Sequence, residues 1–243
     1  EIPFRTRAFA ASGGYAGEMA RFRGYQFDAE AGVPVKACLL TPKDKTGPLP
    51  LVIWTRSPGE PVIFPDLDEF FPILRTHALA ILSPRFSERP LTAHAHADLE
   101  RTAALTGRSL SALCIRDILR TAAWAVRDRG IEPSDITVYG AGEAGVAGLY
   151  AALLEPSIGH VILRDPPPSH WIGPALPMIL RLTDLDEAAG ALAPRRLTQV
   201  ARRPEEWPRT RACYDRMEAS AAYRRAASVA DALRGAATGA GSC

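Results

Sequence analysis

Residues 136–154, ITVYGAGEAGVAGLYAALL, pass from an apolar run through a glycine-rich turn into an alanine-rich stretch, and no other segment restricts the fold as strongly. A strand that gives way so abruptly to a helix is the building step of an α/β domain with a mostly parallel sheet. Two chemistries use such a turn. Gly140, Gly142 and Gly145 spell G-x-G-x-x-G, the spacing that brings a dinucleotide pyrophosphate to a helix N-terminus. Asp165 closes the next apolar run 20 residues after Gly145, where a ribose-binding acid is expected. The same residues, Gly140-Ala141-Gly142-Glu143-Ala144, also align with G-x-S-x-G, the strained turn that presents a nucleophilic serine, with Gly142 in the serine's place.

The remaining chain carries the same alternation of strands and helices. Residues 22–41 alternate apolar and polar positions around Ala31-Gly32, as in an antiparallel hairpin at a sheet edge. LPLVIWTR (49–56) and ALAILSP (78–84) are short apolar runs bounded by proline, the pattern of strands buried on both faces. Between them DLDEFFPILRTH reads as a helix with Pro72 in its first turn or at a kink. Residues 108–129 place Leu110, Leu113, Cys114, Ile118, Ala122 and Val126 on one helical stripe, which Gly130 ends. HVILRD (160–165) and RRLTQVAR (195–202) read as the last two strands, and the chain is helical in composition from Arg209. The expectation is a mostly parallel central sheet flanked by helices, introduced by an antiparallel hairpin. It occupies 22–219, between an N-terminal extension, 1–21, and a helical tail, 220–243, with a frayed end. The dinucleotide fingerprint normally follows the first strand of its domain, whereas a hairpin, two strands and a long helix precede it here.

Charge narrows the partners. Lys plus Arg number 29 against 27 Asp plus Glu, so no global field favours nucleic acid or an anionic membrane. No apolar run approaches the roughly 20 residues that span a bilayer. The chain opens on Glu1 rather than methionine, which leaves a removed export or anchoring segment open and the compartment unassigned. Cys38, Cys114, Cys213 and Cys243 have no C-x-x-C spacing, so the common zinc and redox signatures are missing; Cys38 and Cys114 read as buried thiols. No cofactor is expected.

From Gly24 to Leu197 the order of segments resembles the α/β-hydrolase superfamily, in its acetyl xylan esterase and prolyl-oligopeptidase-like branch. The hairpin, LPLVIW, the following strand, LTGRSLSALCIRDILRTAAWAVRDRGIEPSDITVYG, RDPPPSHW and LAPRRL carry the likeness. The resemblance implies Ser-His-Asp chemistry on esters, and each role has a place where it should fall. The nucleophile position is Gly142, which has no side chain. The acid is expected after LAPRRLTQV, where the chain reads Ala201-Arg202-Arg203-Pro204-Glu205-Glu206. The histidine should come near the C-terminus, yet none of His77, His94, His96, His160 and His170 does so. The turn that offers an oxyanion N–H reads TRSPGE, and Pro58 has no N–H. These departures predict a catalytically inactive domain that binds a partner or supports an assembly, with a vestigial pocket at Ser57, Gly140, Gly142, Glu143, Asp165 and His170. The alternatives are a residual carboxylesterase using Ser57 or Ser87 with His170, and a dinucleotide-binding protein using GAGEAG.

Three other groupings bear on function. His94, His96 and Asp98 would share one face if extended and hold a metal, against the plainer reading of a polar surface loop. His170 would lie beyond a strand end, either at the ligand mouth or bonded within its proline-rich loop. Ser83 joins Ser57 and Ser87 as a hydroxyl after a strand. Arg202, Arg203 and Trp207 make the C-terminal third locally basic, a solvated face or a docking surface for an acidic protein partner with Trp207 as an exposed anchor.

Overall fold

In LVIWT every position is apolar or a small β-branched residue, and a strand of that kind must be covered on both faces. It forms β4, Leu51–Thr55, buried at every position near the middle of the sheet. The computed structural model describes residues 6–10, 19–57, 67–87, 92–201 and 206–234. Within them the strands β1 (Arg7–Ala10), β2 (Ala20–Glu30), β3 (Val33–Pro42), β4, β5 (Ala78–Ser83), β6 (Ile136–Ala141), β7 (Ile158–Arg164), β8 (Arg196–Val200) and β9 (Tyr223–Ala226) form one sheet. Its order is β1-β2-β3-β5-β4-β6-β7-β8-β9. β1 to β3 are antiparallel, β3 meets β5 antiparallel, and every later pair is parallel. The expected hairpin is β2 and β3, turning at Gly32 in the left-handed region.

Helices cover both faces. On one side α3 (Leu110–Arg129) and α4 (Gly142–Leu154) pack with α5 (Leu185–Gly190) and α6 (Pro208–Arg216) over Ile53, Val138 and Leu163. On the other, α1 (Leu67–Leu74) and α7 (Val229–Arg234) cover Val52, Trp54, Tyr139 and Ile162. α2, Ala93–Leu105, lies before α3. Ser109 caps α3 by accepting from the Ala112 N–H at 3.1 Å, and Gly130 ends it with φ of 64°.

Four details differ from the sequence expectation. The buried face of α3 is rotated: Ile115, Ile118, Ala122 and Ala125 share it with Asp117, Thr121 and Trp124, while Leu110, Leu113, Cys114 and Val126 are half-buried. Asp117 and Thr121 are tolerated inside because Arg85 binds the first and the hydroxyl of the second donates to the Asp117 carbonyl at 2.8 Å. Residues 93–98, expected as a loop, begin α2, whose N-cap Thr92 accepts from the Ala95 N–H. β8 is followed by a further strand, β9, because Tyr223 can bury its ring against Tyr214 at a ring separation of 5.5 Å while Arg224 and Arg225 stay in water at the edge. Trp207 is 3% exposed and belongs to the core, so it cannot be the exposed anchor of a docking surface. Arg202 and Arg203, the other members of that surface, lie outside the described residues.

At the N-terminal ends of the parallel strands, the base of the sheet, two imidazoles are enclosed. His160 bonds Thr198 Oγ1 at 2.9 Å, and His77 bonds Thr76 Oγ1 at 2.7 Å. Burial lowers the His77 pKa to about 4, with the Arg196 charge adding to the effect and Asp135 opposing it. The unfolded chain therefore binds a proton at His77 that the folded chain refuses between pH 6.5 and 4. Stability is expected to fall by about 3 kcal/mol across that window, at most 1.4 kcal/mol per pH unit from this group. Urea unfolding at pH 7, 5.5 and 4 measures the slope, and His77→Gln should flatten it without abolishing it, because burial holds His160 neutral in the same sense.

Candidate functional site at the strand switch point

From β4 the chain crosses through α1 to β5 on one side, and later enters β6 on the other, so the connections diverge between β4 and β6. Ligands of open α/β sheets bind outside the carboxyl ends of the strands at such a point. The residues that emerge there are Arg56 and Ser57 after β4, the 84–87 loop after β5, and Gly142 after β6.

The turn at Gly142 keeps its special geometry. Gly142 has φ of 51°, a conformation that side chains rarely adopt, and a Cβ built there meets nothing within 4 Å. Gly140 and Gly145 serve another purpose. A Cβ on Gly140 would sit 2.7 Å from the Ala144 carbonyl carbon, and one on Gly145 would sit 2.6 Å from the Gly140 carbonyl oxygen. These two glycines let α4 settle onto the end of β6. Phe86 and Asp165, after β5 and β7, are also left-handed, with φ of 68° and 42°. Backbone strain of that kind collects at ligand-facing loops.

Around the turn lies a cleft of about 70 Å³ lined by Arg56, Phe86, Ser87, His96, Glu100 and Glu143, among others. Ligand pockets for small organic molecules are about 300–1,000 Å³, so the described walls leave room for little more than water. His96 and Glu100 are one turn apart on α2, and Glu143 is in the first turn of α4. Burial raises the Glu100 pKa, the Glu143 charge reinforces the shift, and His96 opposes it. The glutamates share the lining with the guanidiniums of Arg56 and Arg85, so the cleft is of mixed charge. Asp165 lies in solvent with its carboxylate 3.8 Å from the Arg164 guanidinium.

The hydroxyls near the turn are committed. Ser57 donates to the Ala141 carbonyl at 3.3 Å, Ser83 accepts from Arg56 Nη1 at 2.9 Å, and Ser87 donates to the Pro84 carbonyl at 2.6 Å. The Cys114 thiol is held protonated, its pKa pushed up to about 12 by burial and by the Asp117 charge. His170 is brought to neither serine. Its Nδ1–H donates to the Pro174 carbonyl at 3.2 Å, which leaves Nε2 to accept from the Tyr150 hydroxyl at 2.8 Å. Asp184 further fixes that loop by accepting from the His170 backbone N–H at 2.8 Å. Of the predicted pocket, Ser57, Gly140, Gly142 and Glu143 come together at the turn, while Asp165 and His170 turn to other partners.

His94 and His96 do not share a face, because helical residues two apart point about 200° away from each other. His94 pairs outward with Asp98 at 3.3 Å, and His96 turns into the cleft. Among the described residues no group of three His, Cys, Asp or Glu side chains is arranged to hold a metal. The sequence reading missed Glu100 and the Arg85–Asp117 pair behind the cleft; the i, i+4 spacing of His96 and Glu100 was the available signal, once residues 93–105 are taken as a helix.

Strand order, the left-handed turn after β6 and the helices on both faces define an α/β-hydrolase fold, and solved structures similar to the chain share it. One, from Bacteroides fragilis and assigned provisionally as an acetyl xylan esterase, matches with a TM-score of 0.67 at 13% identity over 86% of this chain and 66% of its own. The acetyl xylan esterase of Paenibacillus sp. R4 matches with 0.65 at 14% identity, covering 93% and 82%. A puromycin-hydrolyzing peptidase of Mycobacterium tuberculosis matches with 0.61 at 18% identity over 85% of this chain but only 35% of the peptidase. The chain thus spans just under two thirds of the first of these proteins and about a third of the last. No protein-family model matches the chain, and no curated protein sequence does. No helix among the described residues is long and apolar enough to cross a membrane.

Proposed function

We propose that this chain is an α/β-hydrolase-fold domain without serine-hydrolase chemistry, serving as a binding or structural module. The observation that carries the reading is Gly142: the turn has the left-handed backbone that presents a nucleophile, and open space where its side chain would project, but no atom to attack a carbonyl. The engaged hydroxyls of Ser57, Ser83 and Ser87 support it, each being held in a hydrogen bond to a backbone carbonyl or to Arg56. So does the far end of the sheet: the two residues between β9 and α7 are Ala227 and Ser228, where the order serine, acid, histidine would bring the base. Of the candidate acids, Glu205 lies outside the described residues and Glu206 is exposed.

Incubation with a fluorophosphonate probe and with aryl acetate esters tests this. The expected result is no labelled serine and turnover no faster than a heat-denatured control; one serine modified stoichiometrically, or turnover abolished by a mutation in the cleft, would overturn the proposal. Gly142→Ser is expected to remain unlabelled as well, because no histidine lies among residues 171–243, where the order serine, acid, histidine would supply the base that activates the hydroxyl.

A further inference from the structure

At the opposite end of the sheet from the Gly142 turn, the ends of α1 and α7 and the N-terminal ends of β6 and β8 enclose a cavity of about 510 Å³. Its walls carry Arg75, Arg196 and Arg234 against a single carboxylate, Asp135, with His77 between them. Arg234 is paired with Asp231. Arg196 is not paired: it is half-buried, Asp135 acts on it from a distance, and no hydrogen bond or ion pair reaches its guanidinium among the described residues. Removing a cation from water without a counter-charge is unfavourable, so a half-buried arginine facing a cavity is stabilised by whatever anion enters it. Arg224 adds to the same positive field, which acts on His160 from the edge of the sheet together with Arg196. Pro50, Ala230 and Leu233 give the cavity an apolar part.

We propose that this basal cavity is a binding site for a small organic oxyanion, a phosphate ester or a carboxylate, whose charged end is held by the Arg196 guanidinium with Arg75 at the rim. The planar fork of arginine matches two oxygens of a phosphate or carboxylate, whereas a cationic or neutral ligand would leave Arg196 as it is. The volume lies within the about 300–1,000 Å³ of small-molecule sites, large enough for an organic body as well as the charged group. Anion binding here is independent of the chemistry at Gly142, some distance away across the sheet, and stands or falls without it.

The test measures the melting temperature of the whole chain at pH 7.5 with glucose 6-phosphate and with citrate, each against sodium chloride at matched ionic strength. A ligand at a hundredfold excess over its Kd is expected to raise the melting temperature by about 5 °C or more. Arg196→Gln should abolish the rise, Arg75→Gln, on the exposed rim, should weaken it, and Arg101→Gln on α2 should leave it unchanged. A response to glucose 6-phosphate alone assigns the site to phosphates, and a response to citrate alone assigns it to carboxylates. The ring resonances of His77 should move on addition of the active probe while those of His94 stay. Neither probe exceeding the salt control, or a rise that survives both Arg196→Gln and Arg75→Gln, overturns the proposal.

Discussion

Gly140→Ala is expected to lower the melting temperature by about 10 °C or to prevent folded chain from accumulating, whereas Gly142→Ala lowers it by only a few degrees. The two residues are separated by Ala141 in the same turn, and the difference comes from what a methyl group would meet. On Gly140 it lies 2.7 Å from both the Ala144 carbonyl carbon and the Gly145 nitrogen, which are backbone atoms of the first turn of α4. Relief would require α4 to lift off β6, and α4 is buried at Ala144, Gly145, Val146, Ala147, Gly148, Leu149, Ala151 and Ala152. Overpacking against side chains costs about 1–3 kcal/mol, and a contact that only a helix shift can relieve belongs at or above the top of that range. On Gly142 the methyl group meets nothing within 4 Å, so only the left-handed backbone counts, at about 1–2 kcal/mol. Thermal melts of the two variants decide it. Equal losses would mean that the packing of α4 on β6 is not as tight as these distances require. The expected result separates the three glycines of G-x-G-x-x-G: Gly140 and Gly145 serve packing, and Gly142 alone stands where a reacting group would be.

Much of this architecture was legible because the buried strands announce themselves. LVIWT, ALAILS and ITVYGA are short, apolar and bounded by turn-formers, and each forms the expected strand. Elements whose character is set by neighbours were harder. YRRA looks helical in an alanine-rich context, yet the open edge of β8 takes it as β9. The face of α3 was misplaced because apolar spacing alone cannot reveal that Asp117 faces inward, when its partner Arg85 is 32 residues earlier in a loop. Trp207 sits among arginines in the sequence, but its ring belongs to the core. At the site the Gly142 turn was readable from local spacing. For His170 the reading of an imidazole bonded within its proline-rich loop agrees with its bond to Pro174, while its bond to Tyr150 was not readable, since it depends on how the 165–178 loop folds back onto α4. The carboxylates of the cleft were hidden for a related reason: His96 and Glu100 converge with Glu143 only once α2 is helical and docked.

Arg85→Met is expected to cost about 3–5 kcal/mol, the usual result of leaving one member of a buried ion pair alone. Asp117 is fully buried and accepts from the backbone N–H of Arg85 at 2.9 Å, from its Nε at 3.0 Å and from its Nη2 at 2.6 Å. Arg85 Nη1 reaches Glu30 Oε1 at 2.7 Å, so one guanidinium ties the 84–87 loop to both α3 and β2. The bond from Arg85 holds the Glu30 carboxyl below its ordinary pKa, while burial pushes that of Asp117 up in spite of the same partner. Without Arg85 nothing offsets the burial of Asp117, and its pKa rises further. The variant's deficit should therefore be largest at neutral pH, where Asp117 must be charged, and narrow as pH falls and the carboxyl accepts a proton. Asp117→Leu combined with Arg85→Met should recover much of the loss, because a buried pair replaced by apolar groups of similar volume is often close to neutral. Urea unfolding of the single and double variants at pH 7 and pH 5 distinguishes the causes. A double variant as unstable as Arg85→Met would show that the loop is held mainly by the carbon stem of Arg85 and by Glu30. Recovery in the double variant would show that the unpaired Asp117 charge causes the instability of Arg85→Met.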